Sequence, residues 1–237
     1  IERIIFEKTS SLLDSNIIVA KQSSKEIIEF IKKNTSKNKA NKYFFNEDYN
    51  FVIKENDFFY YEDKYGGSKI PKPSMKGQFQ LENASTAIAS LRVLENLNIK
   101  DQHIINGVKK AYNSARLEEI KSGKLKDLVR DNTLIVDSSH NPGGSKSLNE
   151  YLQTLNCNKH VIIGMMENKD HEKFISYFKD ISSLTVIDIP NQVNAISGKK
   201  LKEKFKNFSN FSFSENIEQA LKDLRLIQND IVIITGS

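Results

Sequence analysis

The chain has 237 residues, with 35 Lys and Arg against 30 Asp and Glu, a net charge of +5, 38% hydrophobic and 27% charged residues. These values fit one large or two modest domains and are globular rather than disordered or membranous. No apolar run approaches the ~18 residues of a transmembrane helix, and the lysines are scattered among acids rather than gathered in a stripe, so neither a membrane nor a nucleic acid is the expected partner.

In chain order, the opening IERIIFEK carries charges throughout, which is unlike a signal peptide. NIIVAK (16–21) is a short β-like run. SSKEIIEFIKKN (23–34) starts on serine and spaces Ile27, Ile28, Phe30 and Ile31 as an amphipathic helix does. In KYFFNEDYNFVIKENDFFYYEDKYGGSKIP (42–71), aromatic pairs alternate with Asn-Glu-Asp, Glu-Asn-Asp and Gly-Gly turn signals, which predicts a small antiparallel meander. NASTAIASLRVLENL (83–97) and DQHIINGVKKAY (101–112) are predicted helices, with Asn83 placed to cap the first.

From about residue 114 the texture changes. Apolar runs at 133–137 (TLIVD), 160–164 (HVIIG), 184–189 (LTVIDI) and 230–235 (DIVIIT) alternate with helical stretches at 144–155, 170–180, 197–208 and 216–227. Such alternation predicts βαβ units and a mostly parallel sheet covered on both faces. Ligands of open parallel sheets sit outside the carboxyl ends of the strands, where Asp137, Gly164, Asp188 and Gly236 fall. The single Cys157 offers no internal disulfide, which fits a reducing, cytoplasmic setting. Both ends read as cut: residue 1 opens inside a helix, and NDIVIITGS stops one turn after a buried strand. A longer parent protein is the expectation.

The turn after TLIVD is DSSHNPGG (137–144). It puts Asp137 and His140 at a strand's carboxyl end, directly before a helix start whose amides favour an anion. By itself it could equally be N-cap and turn chemistry. It has company, however. DSSHNP resembles the D-G-A-H-N-P of folylpolyglutamate and dihydrofolate synthases, members of the Mur ligase superfamily. GQFQLENASTA (77–87) resembles that family's G-x-H-Q-x-x-N-A-x-x-A, and SARLEE (114–119) its P-G-R-L-E. GMMENKD (164–170) resembles G-M-x-x-D-K-D, ITGS (234–237) a closing T-G-S, and FEKTS (6–10) E-K-A-G. The motifs keep the family's order and span the chain.

The resemblance implies a two-domain α/β ligase that is usually monomeric. Residues 1–113 would be the end of a P-loop ATPase domain carrying the small antiparallel meander. Residues 114–237 would be the Rossmann-like glutamate ligase domain, truncated at its end. The implied reaction uses ATP and Mg²⁺ to turn a folate or dihydropteroate carboxylate into an acyl phosphate, which the amine of L-glutamate then attacks. The implied roles are nucleotide contact for Asn83, phosphate contact for Arg116 and the ATP side of the second domain for Asp137. His140 would lie near glutamate and the reacting phosphate, and Ser237 would line the glutamate pocket. Lys8, if carbamylated, would help hold a second metal. Arg116 could instead serve an interdomain ion pair, and Lys8 could be an ordinary surface lysine.

The departures are informative. Phe79 stands where the family often has His, Ser114-Ala115 replaces Pro-Gly, Ser138-Ser139 replaces Gly-Ala, and Glu167-Asn168 replaces the usual pair before Lys169-Asp170, leaving Asp170 as a helix cap. LEEIKSGKLKDLV (117–129) is predicted to hold a hairpin. No G-x-x-x-x-G-K-[ST] occurs, so the 237 residues are not expected to hydrolyse ATP alone. The alternatives are another Mur-type amino-acid ligase and a non-catalytic nucleotide-binding module.

Overall fold

A computed structural model describes every residue except 1, 11, 13–14, 55, 95 and 205–209. Two compact units emerge, one of residues 1–74 and 78–112, the other of 75–77 and 113–237.

Unit 1 begins with α1 (Glu2–Ser10), β1 (Ile17–Val19), α2 (Lys25–Asn34) and β2 (Lys42–Phe44). β1 and β2 pair in parallel, Val19 opposite Phe44. They form a small apolar cluster with Ile31 of α2, whose other core-side residues are Ile27 and Ile28. Residues 42–44 therefore leave the predicted meander for a different sheet. The meander itself is β3 (Tyr49–Val52), β4 (Phe58–Asp63) and β5 (Gly66–Pro71), antiparallel in the order β3-β4-β5. β4 alternates as a half-buried strand must: Phe59 and Tyr61 are fully buried while Phe58 and Tyr60 point away. The β4–β5 turn is Lys64-Tyr65, and Gly66 supplies the positive φ of +116° that ends it. Arg92 donates to Asp63 (3.2 Å) and Ser68 (2.6 Å), and Tyr61 donates to Asp63 (2.9 Å), so the hairpin tip is fastened to the helix behind it.

That helix is α3 (Phe79–Arg92), followed by α4 (Asp101–Lys110). Helix α3 starts four residues earlier than its sequence pattern suggests. Asn83 is thus an exposed interior residue that donates to Gln80 Oε1 (3.0 Å), and the capping role expected of it is absent.

Unit 2 carries β6 (Glu118–Ile120), α5 (Lys124–Val129), β7 (Thr133–Asp137), α6 (Pro142–Gln153), β8 (Lys159–Gly164), α7 (His171–Ile175), β9 (Ser183–Ile187), α8 (Gly198–Glu203), β10 (Phe211–Ser214), α9 (Ile217–Asp223) and β11 (Ile231–Gly236). The sheet order is β10-β9-β8-β11-β7-β6. Every pairing is parallel except β6 with β7. The predicted hairpin at 117–129 is a correction: β6 and β7 do pair antiparallel, but helix α5 lies between them. Both sheet faces are buried. Leu134, Ile162 and Val232 pack with α5 and α9, while the alternate residues Ile135, Val161, Ile163 and Ile233 are 1% exposed or less on the other side. The chain passes from β7 over to β8, on to β9 and β10, and returns to insert β11 between β7 and β8. The carboxyl ends of β7, β11 and β8 therefore lie side by side, at the end of the strands where open α/β sheets take their ligands.

Candidate active site

The carboxyl ends of β7, β11 and β8 converge in unit 2, and glycine is what lets them. Gly236 has φ +120°, and a Cβ there would run into the carbonyl oxygen of Gly164, its register partner on β8. The close approach lets Ser237 N–H donate to Gly164 O (2.9 Å). Next to it, Thr235 Oγ1 donates to Ser139 O (3.2 Å), which ties the β11 end to the turn after β7.

That turn is built around Asp137, only 4% exposed. Its Oδ1 accepts from Ser139 N (3.0 Å) and its Oδ2 from Leu117 N (3.0 Å). Asn141 caps helix α6, its Oδ1 accepting from Gly144 N (2.9 Å), and Pro142 follows at the first helical position, where a missing N–H costs nothing. Gly144 must be small, because a Cβ would lie 2.9 Å from Ser139 Oγ. His140 is half-buried, and its Nδ1 lies 2.9 Å from Ser138 O. A carbonyl only accepts, so Nδ1 is assigned the proton, which leaves the Nε2 lone pair for an outside partner.

Arg116 sits beside this turn. Ala115 O accepts from Ser138 N (2.7 Å), and Ala115 N donates to Glu118 Oε2 (2.8 Å). Residues 115 and 117 both have left-handed backbones, φ +53° and +51°. The Arg116 side chain is exposed and has no hydrogen bond or ion pair within unit 2 among the described residues.

The neighbouring strand ends are ordered too. Asp188, just past β9, accepts from Gly198 N at the start of α8 (2.6 Å). Asp170 caps α7 through Lys173 N (3.2 Å), as its position suggested. Buried His171 donates from Nε2 to Met166 O (2.9 Å) and accepts at Nδ1 from Lys204 (3.3 Å), fixing the loop after β8.

Of the six residues singled out from the sequence, unit 2 gathers Arg116, Asp137, His140 and Ser237 at one sheet edge. Asn83 and Lys8 belong to unit 1, where Lys8 is exposed on α1, a helix with no buried residue. Among the described residues no group of three or more His, Cys, Asp or Glu could hold a metal ion. Lys8, even carbamylated, would be one ligand of a metal site and not a whole one. The left-handed residues at 115 and 117 and the buried Asp137–Leu117 bond were not foreseen. Their only sequence signal is the glycine that the resembling motif carries where this chain has Ala115.

A family profile described as Mur ligase, glutamate ligase domain, matches residues 115–237. A dihydrofolate synthase/folylpolyglutamate synthase of Haemophilus influenzae is 27% identical over 179 residues, covering 68% of this chain and 40% of that protein. Among solved structures, E. coli FolC in complex with DHPP and ADP superposes with a TM-score of 0.82 at 21% identity, over 100% of this chain and 54% of that one. The bifunctional Yersinia pestis folylpolyglutamate synthase/dihydrofolate synthase complexed with AMPPNP and Mn ion gives 0.82 at 20% identity, over 100% and 54%. The Mycobacterium tuberculosis folylpolyglutamate synthase complexed with ADP and AMPPCP gives 0.83 at 17%, over 100% and 57%. The chain spans about half the length of these relatives.

Proposed function

Because the chain belongs to the Mur ligase family through its glutamate ligase domain, we propose that it forms part of an ATP-dependent ligase joining L-glutamate to a folate or dihydropteroate carboxylate. In this reading residues 114–237 are the glutamate ligase domain and residues 1–113 the end of the central ATPase domain. The observation that carries it is the gathering of Arg116, Asp137, His140 and Ser237 around the carboxyl ends of β7, β11 and β8. The folate branch is favoured by the order of the sequence motifs and by the Haemophilus relative.

The chemistry has two transfers. A substrate carboxylate oxygen attacks the γ-phosphorus of ATP, ADP leaves, and an acyl phosphate forms. The glutamate amine attacks the acyl carbon, phosphate leaves, and the amine gives up a proton. Arg116 suits the phosphate side: its guanidinium has no hydrogen bond or ion pair within unit 2 among the described residues, and it matches phosphoryl oxygens bidentately. Beside the start of α6, His140 has no partner on Nε2 among the described residues, so this nitrogen can hold the amine-bearing substrate or take up a proton. Relatives solved with ADP, AMPPNP and Mn support a nucleotide and a divalent metal as requirements. The 237 residues contain no P-loop, so no phosphate cradle is assigned to them, and they should show no ATP turnover alone.

The test is a phosphate-release assay on the product of the whole reading frame encoding these residues. Release should require ATP, L-glutamate and a pteroate or folate acceptor together. Arg116→Ala should lower kcat/KM for ATP about 10²-fold. Release that ignores glutamate, or an Arg116→Ala enzyme of undiminished efficiency, would sink the proposal.

A further inference from the structure

The Asp137 carboxylate is buried, and each of its oxygens is already bonded to a backbone amide. One of these amides belongs to Leu117, next to Arg116 and twenty residues away in sequence. On either side of Arg116 the backbone is left-handed, at Ala115 and Leu117, neither of them glycine. L-residues avoid that region because Cβ crowds the neighbouring carbonyl, so two such residues around one arginine persist only where the surroundings hold them. The holding contacts are countable: Leu117 N to Asp137, Ser138 N to Ala115 O, Ala115 N to Glu118, and the Leu117 side chain itself, 2% exposed.

We infer that Asp137 is a positioning residue for Arg116: its carboxylate clasps the strained Ser114–Leu117 segment to the carboxyl end of β7, so that Arg116 projects beside the His140 turn. Asp137 does this through the Leu117 amide, with the same carboxylate ordering the turn through Ser139. Arg116 and His140 are thereby set by one group. The clasp does not depend on what the site binds. Only the assignment of a nucleotide phosphate to Arg116 rests on the proposed function.

The 237-residue chain, isotopically labelled, supplies the test. In the wild type, a coupling across the hydrogen bond should link the Leu117 amide nitrogen to the Asp137 side-chain carboxyl carbon. This readout needs no variant. In Asp137→Asn, which keeps one acceptor but turns a donor toward the other amide, exchange of the Leu117 amide should quicken at least tenfold. The Val161 and Ile233 amides in the sheet centre should change less than threefold. Adding Ala115→Gly, which removes the conformational penalty, should slow Leu117 exchange at least threefold relative to Asp137→Asn alone. No coupling in the wild type, unchanged Leu117 exchange in the variant, or equal acceleration at all these amides would overturn the inference, the last because it marks a general loss of stability. In the whole enzyme, Asp137→Asn should lower kcat/KM for ATP, with partial recovery on adding Ala115→Gly. If the wild type shows no glutamate-dependent turnover while the amide results hold, the ligase reading fails and the clasp stands.

Discussion

Replacing Asp230 by alanine should be among the most damaging single changes in unit 2. Asp230 immediately precedes β11 at the amino end of its sheet, opposite the candidate site, and its side chain is 2% exposed. It accepts from Ile227 N (2.8 Å), Asn158 Nδ2 (2.9 Å) and His160 Nε2 (3.2 Å), while His160 Nδ1 meets Ser183 Oγ (2.8 Å). One carboxylate therefore joins β8, β9, β11 and the segment before β11. Alanine strands three donors in a site with little water. At about 1–1.5 kcal/mol each, the loss comes to ~3–5 kcal/mol, the range for breaking a buried charged pair. Since a domain's whole stability is about 5–15 kcal/mol, unit 2 would sit close to unfolding. Urea titration should be followed through β8 and β11 amides, because two units need not unfold together. A loss below about 1 kcal/mol would refute the bookkeeping. The pH dependence follows from the same contacts. Burial pushes the Asp230 carboxyl up, but the bonds from Ile227, Asn158 and His160 together outweigh it and hold it below the usual value. A depressed native pKa stabilises the fold above the unfolded carboxylate value, and the gain is lost as pH falls through the native one. The stability gap between wild type and Asp230→Asn should thus be flat at neutral pH and shrink below about pH 4.

Gly236→Ala puts a side chain at φ +120° and against Gly164 O. It should cost ~2–4 kcal/mol and abolish exchange protection at Ser237, whose bond to Gly164 must open. Ala115→Gly should raise the unfolding free energy by ~0.5–1 kcal/mol, since φ +53° costs alanine more than glycine loses in unfolded-state freedom; a urea midpoint that falls would contradict this. Gly198→Ala sets a Cβ 2.6 Å from the Phe213 ring and should destabilise by ~1–3 kcal/mol. Phe213→Leu in the same chain should recover part of that loss on thermal unfolding.

What could be read in advance was what depends on near neighbours. TLIVD, HVIIG and DIVIIT are apolar runs long enough to declare buried parallel strands, and β7, β8 and β11 lie within a residue of them. DSSHNP announced a polar turn into a helix because Asn141, Pro142 and Gly144 act locally. What escaped depends on distant partners. KYF looks like the start of a meander, and only its pairing with β1 removes it. FSFS, now β10, is four residues of weak alternation whose strand state comes from β9. Helices α7 and α9 end at Ile175 and Asp223, earlier than their patterns suggest. In the first case Phe178 turns back to pack edge-on against Phe174, 5.6 Å between ring centres. At the site, the residue types of 137–141 were visible, but the Leu117 amide that occupies Asp137 was not.

Among the described residues, the six-stranded sheet is flanked by its shortest strands. Its two borders are β6, three residues long, and β10, four residues long, while the strands between them run to five or six. A border strand carries unpaired amides and carbonyls that can template the addition of another chain, and brevity limits how many it offers. β6 also runs opposite to its neighbour, whereas β10 runs parallel to β9. The apolar runs that make this sheet's centre would be dangerous in an edge. Their place inside the order β9-β8-β11-β7 keeps the segments most prone to fibril growth away from the margins, and colloidal stability is built into the strand order itself.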